Sequence, residues 1–156
     1  MIQKLYRFFA ALLTVAVLGG CAGIEVEQYR TEKPQLDLRK FFSGTVEGWG
    51  MFQDRSGKVI KRFHVVIEAK WQGDTGGGRF IGTAGDVVGE ALGETAGNAL
   101  RWRYVLALDV DGKTIHVDFD DWMFLVDDRV MLNRSLMSKY GFRLGEVTLS
   151  LQRRTP

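Results

Sequence analysis

Across the larger part of the chain, apolar and polar residues alternate with the period of an extended strand that has one wet and one buried face. The clearest stretch places Arg62, His64, Val66 and Glu68 on one face and Phe63, Val65, Ile67 and Ala69 on the other. Residues 44–52 and 59–71 are rich in β-branched and aromatic side chains. Between them, Asp54-Arg55-Ser56-Gly57 is turn chemistry, so a hairpin is predicted. Further strands are expected at 79–83, 100–109, 114–119, 122–126, 130–135 and 145–153, with a tight turn at Asp111-Gly112 and a weaker one at Asp127-Asp128. Ahead of them, Leu36, Leu38, Phe41 and Phe42 fit one helical turn plugging the base of the sheet. Short strands at regular spacing with little helical period predict an all-β, antiparallel barrel or sandwich.

The first residues follow a different pattern. Lys4 and Arg7 precede an apolar run over 8–17, broken only by Thr14, that ends in Leu18-Gly19-Gly20-Cys21. A membrane-spanning helix needs roughly 20 consecutive apolar residues, about twice this run, so the segment reads as a secretory signal. Its ending resembles a lipobox, which implies cleavage before Cys21 and lipid attachment to that cysteine. The expected organisation is a signal peptide over 1–20, a lipidated N-terminus and polar tether over 21–35, and a folded domain over 36–156. Several acyl chains on one cysteine would anchor the domain durably. Ala22 follows Cys21 where sorted lipoproteins retained in the inner membrane carry aspartate. That resemblance implies the bacterial envelope, at the periplasmic face of the outer membrane.

Composition changes this picture in two ways. With 46% hydrophobic and 26% charged residues over 156 positions, the chain can bury one ordinary core. Loss of residues 1–20 would remove two bases and no acid, leaving 19 bases against 19 acids. The apparent basicity then belongs to the signal, and nucleic acid is not an expected partner. Cys21 is the only cysteine, so once lipidated it leaves no thiol for a disulfide, a metal or a nucleophile.

Gly85, Gly89, Gly93 and Gly97 recur every four residues. A transmembrane packing ridge is excluded by Asp86, Glu90 and Glu94 in the same stretch, and a phosphate loop by the lack of Gly-Lys-Ser/Thr. The remaining reading is a glycine-rich strand, turn and strand passing close to neighbouring backbone, with no cofactor.

Five blocks carry a more specific signal: residues 49–57 beginning Trp49-Gly50, 82–89 beginning Gly82-Thr83, 97–104 with Trp102, 117–123 with Asp120-Asp121-Trp122, and 132–139 beginning Leu132-Asn133-Arg134. Together they resemble a family of proteobacterial lipoproteins catalogued as domain of unknown function 3833. The resemblance implies a lipocalin-like β-barrel on a lipid anchor and supplies no activity or catalytic residue. Residues 72–78 form a short linker where relatives usually carry another strand pair, which leaves it open whether the barrel closes.

Candidate chemistry lies in two polar groups. Arg101 and Arg103 share a strand face opposite Trp102 and Tyr104, while His116, Asp118 and Asp120 share the face opposite Val117 and Phe119. On an outer surface these would form ordinary ion pairs. On an inner surface the arginines could grip an anionic head group while Trp49, Trp102 or Trp122 line an apolar pocket. Asn133, Arg134, Ser138, Lys139 and Tyr140 are expected around a loop before the last strand, as a ligand rim or a hydrogen-bonded turn. Asp118, Asp120 and Asp121 with His116 suggest general acid-base work or a metal, but the pattern is loose: His64 and His116 sit in no recognised ligand spacing, so no metal site is expected, and no Gly-x-Ser-x-Gly is present. The leading functional expectation is a membrane-anchored module for an apolar or amphiphilic ligand. Its alternatives are a non-catalytic docking protein, and a hydrolase or isomerase using Asp118 and Asp120.

Overall fold

The computed structural model describes residues 23–69, 79–82 and 86–154. The protein is all-β, one antiparallel sheet of eight strands: β1 (Gly44–Asp54), β2 (Val59–Ala69), β3 (Arg79–Gly82), β4 (Ala91–Ala96), β5 (Ala99–Val110), β6 (Lys113–Leu125), β7 (Val130–Lys139) and β8 (Phe142–Arg153). Their spatial order is β2-β1-β8-β7-β6-β5-β4-β3. From β3 to β8 each strand pairs with the next in sequence, and β8 returns to pair with β1, Val46 opposite Arg153 through Asp54 opposite Gly145. This is the path of an up-and-down barrel with one seam, between β2 and β3, which do not pair among the described residues. The lipocalin-like sheet is therefore open among the described residues, which answers the question that the short middle segment raised.

Alternation fixes the two faces. Val46, Gly48, Val117, Phe119, Met131, Met137, Gly145 and Leu151 are all buried and line the concave side, while Arg62, His64, Val66 and Glu68 point outward. At one end Phe41, Val46, Leu125, Met131 and Leu151 form a closed cluster. The helix α1 (Leu38–Phe41) caps that end, started by Asp37, whose carboxylate accepts the Lys40 amide at 3.0 Å. At the other end Val117, Phe119 and Met137 pack with half-buried Phe52, Tyr104, Leu106, Leu108, Ile115 and Val147. The turns joining β1 to β2, β5 to β6 and β7 to β8 ring this second end, which is uncapped among the described residues.

Three elements differ from the sequence expectation. One strand, β6, runs through Asp120 and Asp121, where two were predicted, because two aspartates in succession need only point to opposite faces. The stretch after Gly89, lacking a strong β signal, forms β4, whose Gly93 lies under the Trp102 ring; a Cβ there would stand 2.7 Å from it. The expected loop at 133–140 is mostly strand. Asn133 through Lys139 belong to β7, and the turn is Tyr140-Gly141, because Asn133 and Ser135 are buried partners of the concave face rather than turn formers. Of the recurring glycines, Gly89 lies in a bend, Gly93 in β4 and Gly97 in the β4–β5 turn, and Gly85 lies outside the described residues.

The described part of the segment expected as a tether lies against the sheet. Val26–Tyr29 forms a 3-10 turn with Val26 buried, and the Tyr29 ring meets Trp122 and Phe124 edge-on at 5.9 and 5.0 Å. The Leu36 amide donates to the Gly97 carbonyl at 2.8 Å.

Candidate functional site

Halfway along the concave face, β5, β6 and β7 bring Trp102, Asp121 and Ser135 side by side, since Trp102 pairs with Asp121 and Asp121 with Ser135. Asp121 is 5% exposed. The Tyr104 hydroxyl donates to its Oδ2 at 2.6 Å, whereas its Oδ1 is buried with no hydrogen-bond partner. Asn133 and Ser135, both buried, stand beside it; the Asn133 amide donates to the Trp122 carbonyl at 3.3 Å and the Ser135 hydroxyl to Asn133 Oδ1 at 3.5 Å. A carboxyl short of one partner in an apolar enclosure is expensive unless it stays protonated or finds another group.

The electrostatics follow from that placement. Burial pushes the Asp121 carboxyl up to about 6, against the Tyr104 hydrogen bond, helped by the charge of neighbouring Asp120 and opposed in the smallest degree by the nearby Asn133 amide, which makes no well-formed hydrogen bond to Oδ1. Burial, and then the charge of Asp121, raise the Tyr104 phenol, which stays protonated as a donor. Around this polar waist, Phe52, Phe63, Val65, Trp102, Leu106 and Met123 are only half-buried. Chemically the arrangement is an apolar wall with one adaptable polar point, which can donate as an acid or accept as a carboxylate near neutral pH.

The sequence-predicted site residues divide between the two faces. Trp102 and Asn133 are on the concave side, and Trp49, Arg101, Arg103, Asp118, Asp120, Trp122 and Arg134 are on the convex side. Arg101, Asp120, Trp122 and Arg134 do come together, with Ile24, Tyr29 and Leu136, around an outer groove of about 410 Å³. Its cations are already taken: Arg101 holds both Asp120 oxygens at 2.8 and 2.7 Å with its guanidinium 5.0 Å from the Trp122 ring centre, and Arg134 reaches Glu146 at 2.8 Å. Arg134, with Arg143 behind it, holds the Glu146 carboxyl below the usual carboxylate range. Arg103 approaches Glu94 at 3.8 Å, Asp118 is exposed, and Trp49 lies on His64 with ring centres 5.1 Å apart. The condition for an arginine grip inside the barrel, that this face point inward, is not met. The residues brought together inside instead are Tyr104, Asp121 and Ser135 with Asn133. The signal for them was parity: with Val117 and Phe119 inward, Asp121 must follow if the strand does not break.

Residues 15–77 and 75–153 match the family described as "Protein of unknown function (DUF3833)". The chain belongs to this family. No curated protein and no solved structure matches it. The DUF3833 match comes in two pieces that meet at 75–77, inside the short 72–78 linker between β2 and β3. In this DUF3833 member the match thus divides between β2 and β3, the two strands that do not pair among the described residues.

Proposed function

We propose that the protein is an envelope lipoprotein, anchored through lipid on Cys21 at the periplasmic face of the outer membrane, that binds an apolar or amphiphilic molecule against its concave face. The observation that carries this reading is Asp121, a buried carboxyl with one oxygen unpartnered, set among half-buried aromatic and aliphatic side chains. An eight-stranded barrel has room for its own side chains or one small ligand, and specificity in such sites comes from a few polar groups on an apolar wall. A hydroxyl or amine of the ligand would supply Asp121 Oδ1 with its missing donor. Native mass spectrometry of protein extracted from its own membranes checks this: a stoichiometric co-purifying small molecule is expected from the natural chain and its loss from Asp121→Leu. A natural chain that is empty in every preparation would sink the reading.

A second reading has its own observation. β2 and β3 each pair on one side only among the described residues, and an unpaired strand edge is a template for another strand. As a docking protein the chain would yield one specific crosslinked neighbour in cells, with no small molecule bound.

A further inference from the structure

The β7–β8 turn breaks a local rule. Lys139 pairs with Phe142, so Tyr140 and Gly141 form a two-residue hairpin loop, both at positive φ, 52° and 79°. That turn favours Asn, Asp or Gly at its first position. The β5–β6 turn at the same end obeys, with Asp111 and Gly112 at 53° and 74°. A bulky aromatic held in the left-handed region is strained, and such strain is commonly kept where a side chain has work to do outside the fold. Tyr140 is 85% exposed and Phe142 is 76% exposed, and Leu144 is also exposed. Lys139 and Arg143 flank them, with the Lys139 ammonium 5.2 Å from the Tyr140 ring centre. Exposed aromatics with long cations beside them are the composition of the membrane interface.

The path of the N-terminal segment leads to the same place. Tyr29 packs on Trp122 and Phe124, toward the capped end of β6. Five residues earlier, the Ile24 carbonyl accepts from Arg101 at 3.4 Å and Ile24 lines the groove with Asp120 and Leu136, further toward the uncapped end. Leu136 is four residues before Tyr140 on β7, about 13 Å along a strand. Cys21 is three residues before Ile24, at most about 11 Å of chain. That length leaves lipid on Cys21 within reach of the end of the sheet that carries the β7–β8 turn.

We propose that the β7–β8 turn is a second membrane contact, with Tyr140 and Phe142 seated in the interfacial layer of the bilayer that holds the lipid on Cys21. The uncapped end of the sheet then faces the membrane, and a ligand can pass between bilayer and concave face without crossing water. This rests on the lipid anchor proposed above.

Because Cys21 is the only cysteine, a Phe142→Cys chain with an acylated Cys21 has a single free thiol. The test labels that thiol with an environment-sensitive nitrobenzoxadiazole dye in full-length lipoprotein reconstituted into phosphatidylethanolamine and phosphatidylglycerol vesicles. Tyr140→Cys serves as a second site, and Val126→Cys, exposed at the capped end, as the control. A several-fold rise in emission with a blue shift, and quenching by nitroxide-labelled lipid, are expected at 142 and 140 and not at 126. Equal responses at both ends, or none at 142 and 140, overturn the proposal while leaving the anchor standing. Labelling of Cys21 itself in the unsubstituted chain would overturn anchor and proposal together.

Discussion

At the scale of single residues, Asp121 sets a measurable pH dependence. Near pH 3 its carboxyl is protonated in folded and unfolded chains alike, so stability does not depend on pH through it. Between the ordinary value of 3.8 and the folded value of about 6, the unfolded chain gives up this proton and the folded chain keeps it. Stability therefore falls as pH rises through that window, by about 1.4 kcal/mol per unit and about 3 kcal/mol in all. Asp121→Asn keeps an oxygen for the Tyr104 hydroxyl and has no charge to bury. Relative to the natural chain it should gain about 2–3 kcal/mol between pH 3.5 and pH 7.5, read as the difference between two denaturant titrations at each pH. A difference that does not move with pH would mean that the carboxyl ionises as freely in the fold as in water. Trp102 and Asn133 were legible as candidates from their residue types, and Asp121 only as one of three aspartates beside His116, with nothing to set it apart. Its neighbour Asp120 looks identical in sequence, and only an unbroken β6 separates the one that meets Arg101 outside from the one that meets Tyr104 inside.

Among the elements, the N-terminal strap depends on one glycine. Gly97 has φ +58° in the β4–β5 turn, and a Cβ there would stand 1.7 Å from the Tyr29 carbonyl oxygen, an overlap that nothing flexible can relieve. Gly97→Ala should therefore lift the 3-10 turn off the sheet, exposing Val26 and freeing the Tyr29 ring from Trp122 and Phe124. Trypsin cleavage after Arg30 should accelerate at least several-fold while the far-ultraviolet spectrum of the sheet is unchanged. Cleavage at the natural rate would show that the strap is held without Gly97. The fold around it was largely readable: alternation gave β1, β2 and the core of β5 to β8, and Leu38 with Phe41 gave the cap. The segment before Pro34 was read as an extended tether because its polar residues show no period. Val26 and Tyr29 are too few to make one, yet they are the side chains that pin it. β4 escaped for a related reason, since Gly93 carries no side chain to signal burial and its partner Trp102 fills the space from the next strand.

At the scale of the whole molecule, the seam decides how the domain opens. Every strand from β1 and β8 through β4 is held on both sides, whereas β2 and β3 are held on one side among the described residues. β5 and β6 share twelve paired positions and β3 and β4 share four. Local opening should start where the ladder is one-sided and short, and reach the strands buried on both sides only by global unfolding. Native-state hydrogen exchange should accordingly place β3 and the free edge of β2 at the low end of protection and β6 and β7 near the global free energy. A molecule lodged on the concave face would contact Phe63 and Val65 on β2 as well as Trp102 and Asp121 on the far wall, linking the two sides that the backbone leaves unjoined. Protein extracted with its native membrane lipids should then protect β2 several-fold more than stripped protein, with β6 and β7 hardly altered. If β2 is protected as strongly as β6 in stripped protein, the seam is closed by other means. A ligand would then have to enter through the uncapped end, past Leu106, Leu108 and Ile115.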